Sequence, residues 1–177
     1  MRTLVVGGSG SGKSAYAERL AAQLSPVRTY VATMQNDGAE AHARIRRHRD
    51  QRAKLGFVTI ECPDSLVGTC HAQAEGVVLV DDLGNLVANA LFAPDGTMAD
   101  PSAVLARLAN EVRALSQSYE HVVLVGNEVG GEGTYRFEAT NEWVRLIGAL
   151  NCRIAASFDE VVEVVAGIPC LVKGAAR

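Results

Sequence analysis

The stretch Leu4-Val5-Val6-Gly7-Gly8-Ser9-Gly10-Ser11-Gly12-Lys13-Ser14 lies at the start of the chain and decides its fold. Its second part, from Gly7 to Ser14, fits the phosphate-loop pattern G-x-x-x-x-G-K-[ST]. An apolar run precedes the glycines and a helical pattern follows them, so the stretch predicts a strand, a phosphate-binding loop and a helix. A flexible Gly/Ser linker is the alternative, but a linker does not explain Lys13-Ser14 at that offset.

The residue types in this loop suit the binding of a nucleoside triphosphate. Glycines allow backbone N–H groups to point at a phosphate where a Cβ would block the approach. Lys13 provides a positive charge for the β and γ phosphates, and Ser14 provides a hydroxyl for Mg²⁺. We expect Lys13 to be exposed and to make no core contacts. The predicted phosphate site consists of Gly7, Gly8, Ser9, Gly10, Ser11, Gly12, Lys13 and Ser14.

The composition is that of a globular protein with a substantial core. The chain has 177 residues, of which 48% are hydrophobic, and a net charge of −3. This charge provides no general attraction for nucleic acid or for an anionic membrane. The four cysteines are far apart and form no C-x-x-C pair, which argues against a zinc site and favours a reducing cytoplasm. With no apolar stretch of about 18 residues, we expect no membrane span.

Apolar runs alternate with helical patterns along the chain, which predicts an α/β fold with a mostly parallel sheet flanked by helices. We predict strands near residues 3–6, 29–32, 57–61, 77–81, 121–126, 160–165 and 170–173. Helices are predicted near 13–24, 39–54, 85–92, 101–118 and 140–156. A turn at Gly167-Ile168-Pro169 predicts a C-terminal antiparallel hairpin. We expect a single P-loop domain over residues 1–177.

A carboxylate follows the apolar run at residues 76–80, where a phosphate-loop enzyme needs one. We expect Asp81 at the carboxyl end of a strand that neighbours the first strand. There it would hold a water of the Mg²⁺ ion that Ser14 contacts. Asp82 suits the N-cap of the following helix. The reverse assignment of the two aspartates is the alternative.

A basic segment carries a possible nucleophile. At helical spacing Arg44, His48 and Arg52 lie on one stripe, so guanidinium groups flank the imidazole. Nearby cations disfavour imidazolium, and the neutral ring is the form that attacks phosphorus. The arginines would also bind phosphate oxygens, which together favours nucleotidyl transfer. A solvated basic helix, in which His48 is incidental, explains the composition equally well.

Several segments together resemble the bifunctional adenosylcobinamide kinase / adenosylcobinamide-phosphate guanylyltransferase family of cobalamin biosynthesis. The phosphate loop alone is common to many enzymes, whereas the arginine–histidine segment and the Asn-Glu-Val-Gly segment are more specific. The resemblance covers nearly the whole chain. Its segments are Gly7 to Ser14, Tyr30-Val-Ala-Thr33, Arg44-Ile45-x-x-His48-x-x-x-Arg52 and Asn127-Glu128-Val129-Gly130.

The resemblance implies a RecA-like fold, a cytoplasmic homotrimer and two reactions on a corrinoid. ATP or GTP would phosphorylate adenosylcobinamide, with Lys13 and Mg²⁺ in catalysis and Ser14 and Asp81 at the metal. His48 would then carry GMP from GTP to adenosylcobinamide phosphate, giving adenosylcobinamide-GDP. The implied nucleotide-binding residues outside the loop are Ala32, Thr33, Met34, Arg44, Arg49, Asp50, Gln51, Arg52, Glu61 and Asp81.

Two other functions remain compatible with the residues. One is a phosphate-loop small-molecule kinase in which His48 binds phosphate but accepts no GMP. The other is a GTP-dependent binding or switch protein that consumes no acceptor. The arginine-flanked histidine argues against the switch, because sensing a phosphate requires no nucleophile.

Overall fold

The computed structural model describes residues 1–35, 53, 55–70, 74–129, 133 and 135–175. The predicted helix over residues 39–54 lies outside the described residues, apart from Ala53. The same holds for His48 and for the predicted nucleotide-binding residues Arg44, Arg49, Asp50, Gln51 and Arg52.

The described residues form a seven-stranded sheet. Its strands are β1 (Arg2–Val6), β2 (Arg28–Ala32), β3 (Phe57–Glu61), β4 (Ala74–Asp81), β5 (Tyr119–Val125), β6 (Glu160–Val165) and β7 (Ile168–Lys173). The strand order is β3-β2-β4-β5-β1-β6-β7. All neighbouring pairs are parallel except β6 and β7, which are antiparallel. The predicted mostly parallel sheet with a C-terminal antiparallel hairpin is confirmed.

Helices cover both faces of this sheet. They are α1 (Lys13–Leu24), α2 (Leu83–Leu91), α3 (Pro101–Ser118) and α4 (Glu138–Ser157). Helix α1 packs on one face, whereas α2, α3 and α4 pack on the other. Alternate residues of a strand therefore enter different cores: Val78 packs with α2 to α4, and Leu79 with α1. The central strands β1, β4 and β5 are buried on both faces, and each therefore contains a continuous apolar run.

Two details of the predicted sheet are wrong. Strand β4 does not neighbour β1, because β5 lies between them. The hairpin turn is shorter than predicted, and Pro169 belongs to β7, where it pairs with Val164. The turn residues are Ala166 and Gly167, with φ of 49° and 82°. Positive φ at both positions is typical of two-residue hairpin turns, and β7 is an edge strand, where proline is tolerated.

Candidate nucleotide-binding site

The C-terminal ends of the parallel strands meet at one edge of the sheet, which we call the carboxyl edge. Ala32 at the end of β2 is in register with Glu61 of β3 on one side and with Asp81 of β4 on the other. The phosphate loop leaves the end of β1 at the same edge. The fold thus brings together predicted nucleotide-binding residues that are far apart in the sequence. Ligand sites of open α/β sheets occur at this edge.

The phosphate loop presents an uncapped helix N-terminus. Gly10 and Gly12 have φ of 70° and 90°, a region that side-chain-bearing residues rarely adopt. No side chain among the described residues caps the N-terminus of α1. By contrast, Asp82 caps α2 and Asp100 caps α3. The first-turn N–H groups of α1 therefore stay available for an anion.

Lys13 lies inside the loop. Its side chain is buried, with 8% exposed, and Nζ donates a hydrogen bond to the carbonyl oxygen of Gly8 at 3.2 Å. The prediction that Lys13 is exposed is wrong, because the loop curls back over the side chain. A buried ammonium that is held by a backbone carbonyl is already oriented toward the centre of the loop.

A three-residue contact joins α1, β2 and β4. The Ser14 hydroxyl donates to Oδ1 of Asp81 at 3.2 Å, and the Tyr30 hydroxyl donates to Oδ2 at 2.7 Å. Although β5 separates β4 from β1, Ser14 reaches Asp81 because α1 packs across β4 and β5.

The environment of Asp81 favours its protonated form. Burial raises the pKa of this carboxyl, and the charge of Asp82 raises it further. The hydrogen bonds from Tyr30 and Ser14 and the charge of Lys13 act in the opposite direction, and the pKa remains raised. A cation bound beside Asp81 would therefore offset the cost of ionising this buried carboxyl.

Asp82 is engaged in structural contacts. Its Oδ1 accepts the backbone N–H of Asn85 at 2.7 Å, which caps α2. Its backbone exchanges two hydrogen bonds with the Thr33 hydroxyl, at 2.8 and 2.9 Å. Thr33 is fully buried, so its hydroxyl is used in these contacts within the protein. Met34, the next residue, is 37% exposed. These contacts favour Asp82 as the cap and leave Asp81 to face the loop.

Sequence reasoning missed the role of Asn127 at the end of β5. Its Oδ1 accepts the N–H of Gly84 at 3.0 Å, and its carbonyl oxygen accepts Nδ2 of Asn151 at 3.2 Å. Trp143 donates to the carbonyl oxygen of Gly84 at 3.0 Å. A Cβ at Gly84 would lie 2.5 Å from Oδ1 of Asn127, so a larger residue there would displace the Asn127 amide. The signal in the sequence was a polar residue just after a buried strand.

The C-terminal hairpin also supports the phosphate loop. Gly167 in the turn donates its N–H to the carbonyl oxygen of Ser11 at 2.8 Å. A Cβ at Gly7 would lie 2.6 Å from the carbonyl oxygen of Val164. More than 150 residues separate these partners, so no local pattern predicts the contact.

A helix able to cross a membrane and a cluster of metal-binding side chains are both absent from the described residues. None of their helices combines the length and the apolar character that a membrane crossing requires. Within the same ranges, His, Cys, Asp and Glu side chains form no group of three or more that could hold a metal ion.

Comparisons with known proteins show relatives in sequence and in fold. The chain is 34% identical over 176 residues to the bifunctional adenosylcobalamin biosynthesis protein CobP of Pseudomonas aeruginosa, covering 98% of both chains. It is also 34% identical to CobU of Salmonella typhimurium, covering 98% of this chain and 100% of the relative. The crystal structure of the flagellar accessory protein FlaH from Methanocaldococcus jannaschii superposes with a TM-score of 0.50 and 13% identity. It covers 99% of this chain and 81% of that one, which indicates a shared fold alone.

The family model for cobinamide kinase / cobinamide phosphate guanyltransferase matches residues 3–172. This match and the nearly full-length relatives confirm the family that the sequence segments predicted. The chain belongs to the cobinamide kinase / cobinamide phosphate guanyltransferase family.

Proposed function

We propose that this chain phosphorylates adenosylcobinamide with ATP or GTP and then transfers GMP from GTP to the phosphate, giving adenosylcobinamide-GDP. Family membership supports both reactions. The observation that carries the proposal is the contact of Ser14 with Asp81 beside the uncapped start of α1 and the buried ammonium of Lys13.

In the kinase step, the oxygen of the acceptor hydroxyl attacks the γ phosphorus. The bond from the γ phosphorus to the β–γ bridging oxygen breaks, the nucleoside diphosphate leaves, and the hydroxyl proton passes to solvent water. Lys13 and the N–H groups of α1 bind the phosphate oxygens on which negative charge accumulates. Catalysis here consists of positioning and charge stabilisation and requires no covalent intermediate.

In the guanylyl step, an imidazole nitrogen of His48 attacks the α phosphorus of GTP, and pyrophosphate leaves. A phosphate oxygen of adenosylcobinamide phosphate then attacks the same phosphorus and releases the imidazole. Two displacements allow one triphosphate site to activate GMP before the bulky corrinoid enters. The proposed nucleotide contacts of Arg44, Arg49, Asp50, Gln51 and Arg52 belong to the same segment as His48, outside the described residues.

The residues present fit Mg²⁺. Ser14 and Asp81 present a hydroxyl and a carboxylate oxygen 3.2 Å apart, and hard oxygen atoms are the ligands that Mg²⁺ prefers. A site with few protein ligands is typical of Mg²⁺ bound together with substrate phosphates and water. When bound, the ion would neutralise charge between the β and γ phosphates.

The carboxyl edge supports the remaining nucleotide contacts, and the exposed hairpin supports self-association. Ala32, Thr33, Met34 and Glu61 follow or end the strands beside Asp81, where a nucleoside could lie. The proposed homotrimer would use β7, where Ile168 and Val172 are 64% and 63% exposed. The four cysteines are free, in keeping with the proposed cytoplasmic location.

The test is mass spectrometry of the intact chain after incubation with GTP and Mg²⁺. We expect one added GMP on the wild type and none on His48→Asn, since the amide keeps polarity but has no nitrogen lone pair that attacks phosphorus. Phosphorylation of adenosylcobinamide should survive in His48→Asn. His121→Asn is the matched control, because His121 lies on β5 and contacts the Met1 amino group.

An adduct that persists in His48→Asn would overturn the assignment of the nucleophile. Phosphorylation without any adduct on the wild type would instead indicate the kinase alone. An adduct-free, kinase-free protein that still binds GTP would indicate the switch protein.

A further inference from the structure

A cavity of about 320 Å³ lies at the end of the sheet opposite to the phosphate loop. It is bordered by Arg2 at the start of β1 and by the C-terminal halves of α3 and α4. The five residues of β1 separate it from the loop, a distance of about 15 Å at the rise of an extended strand. Neither proposed reaction uses it.

Three arginines line this cavity, from three different elements. They are Arg2, Arg113 of α3 and Arg153 of α4, and no acidic side chain is among the described residues of the lining. The concentration of positive charge is local, because the chain as a whole has a net charge of −3. Guanidinium groups bind carboxylate, sulfonate and phosphate oxygens with paired hydrogen bonds.

The guanidinium of Arg2 is held in place before any ligand arrives. Its Nε and Nη2 donate to the carbonyl oxygen of Ser116 at 3.1 and 2.7 Å, so the N–H groups of Nη1 remain for a ligand. Asp159 lies nearby, but one carboxylate oxygen accepts the backbone N–H of Arg2 at 2.8 Å. Arg113 and Arg153 are exposed, so their side chains can turn toward an anion at the cavity mouth.

The remaining wall is apolar. Ile154 and Phe158 are each 2% exposed and belong to the core, and Ala109 adds a methyl group from α3. Small-molecule sites are generally concave and apolar, with a few polar groups that orient the ligand. We propose that this cavity is a second ligand site, which binds a small organic anion with an apolar body and a carboxylate, sulfonate or phosphate group.

Isothermal titration calorimetry with 2-naphthoate tests the proposal, and neutral 2-naphthamide is the matched ligand. We expect the wild type to bind 2-naphthoate with a Kd below about 1 mM and to bind the amide at least about tenfold more weakly. The double variant Arg113→Gln/Arg153→Gln should weaken naphthoate binding about tenfold or more and should leave amide binding unchanged. Arg145→Gln, also on α4 but outside the cavity lining, should bind like the wild type.

Two further variants locate the bound probe. Ala109→Phe fills the cavity and should abolish binding, while circular dichroism checks that it folds. Lys13→Ala should bind 2-naphthoate normally, whereas a loss would indicate that the carboxylate occupies the phosphate loop and would overturn the proposal. Equal affinity for the acid and the amide would also overturn it, as would wild-type affinity in a folded Ala109→Phe variant.

Discussion

The two ends of the sheet treat helix termini differently. At the carboxyl edge, no side chain among the described residues caps the N-terminus of α1. At the opposite end, a cationic side chain from another element donates to carbonyl oxygens at the C-terminus of each of three helices. Arg28 donates to one carbonyl oxygen of α1, Arg2 donates to one of α3, and Lys173 donates to two of α4. The distances from Lys173 Nζ to the carbonyl oxygens of Ala155, Ala156 and Phe158 are 2.8, 3.2 and 2.7 Å.

Helix α1 shows the same difference between its own two termini. One of its last carbonyl oxygens, that of Ala22, accepts a hydrogen bond from Arg28 at 3.0 Å, and Arg28 also donates to the carbonyl oxygen of the C-cap residue Ser25 at 2.7 Å. The N–H groups of its first turn have no side-chain cap among the described residues and are available to bind an anion. Unsatisfied backbone groups at a helix terminus reduce stability unless a ligand completes them. The C-terminus of α1 is therefore satisfied by a contact within the fold, whereas its N-terminus sacrifices some stability for the binding of an anion.

The largest effect should come from removing the cation at the uncapped end. We expect Lys13→Ala to lower phosphoryl transfer about 100- to 1,000-fold, because a charge inside the loop stabilises the transferring phosphate. Guanylyl transfer should fall as well if both reactions use the loop. Steady-state assays of the two reactions measure this, and turnover at the wild-type rate would show that the loop is not the working site.

Asp81→Asn should separate activity from stability. The amide keeps a hydrogen-bonding partner for Tyr30 and Ser14 but loses the charge, so we expect Mg²⁺-dependent activity to fall about 10- to 100-fold. The nucleotide-free variant should nevertheless be more stable than the wild type at neutral pH, because it lacks a carboxyl whose pKa burial raises. Urea unfolding with and without nucleotide measures the second effect.

The difference in stability between Asp81→Asn and the wild type should depend on pH. Burial raises the pKa of Asp81 above its ordinary value of 3.8, so the folded chain favours the protonated form. The contribution of Asp81 to the free energy of unfolding is greatest below pH 3.8 and is lost as the pH rises through the raised pKa. The advantage of Asp81→Asn should therefore grow with pH over that window. A constant difference would contradict the buried charge.

Much of the fold could be predicted because its signals are local. The phosphate loop, the apolar strands and the bounds of α1 and α3 follow from neighbouring residues, and Asp100 before Pro101 marks the start of α3. The position of β4 relative to β1 could not be predicted in this way. Strand order depends on how helices pack across the sheet. The apolar pattern of β4 would be the same with or without β5 between β4 and β1.

The residues of the candidate site also differ in how far the sequence predicts them. Ser14 is predicted from its offset in the phosphate-loop pattern and Asp81 from its position after an apolar run, and the structure brings them into contact. The supports of the site come from distant residues: Asn127 holds Gly84, and Gly167 holds Ser11. The polar residue after a buried strand pointed to Asn127, but no local pattern indicates its partner Gly84 or the partner of Gly167, because each contact is one hydrogen bond between distant elements.

A smaller effect is expected at the capped end. Lys173→Met keeps much of the aliphatic stem but removes an ammonium that binds two carbonyl groups of α4 and that of the C-cap residue Phe158. We expect a loss of about 1–2 kcal/mol in the free energy of unfolding, with kinase turnover unchanged. Urea unfolding and the kinase assay test the two halves of this expectation. A large loss of turnover would mean that the two ends of the sheet are coupled.

The smallest effect should come from Asp82→Asn, which lies at the carboxyl edge but acts as a cap. Asparagine caps a helix about as well as aspartate, so the free energy of unfolding should change by less than about 0.5 kcal/mol. The charge of Asp82 raises the pKa of Asp81, so its removal should lower that pKa. The acid limb of Mg²⁺-dependent phosphoryl transfer should then move to lower pH, because Asp81 ionises earlier. If Asp82→Asn instead costs more activity than Asp81→Asn, the two aspartates have exchanged roles, and the cap is Asp81.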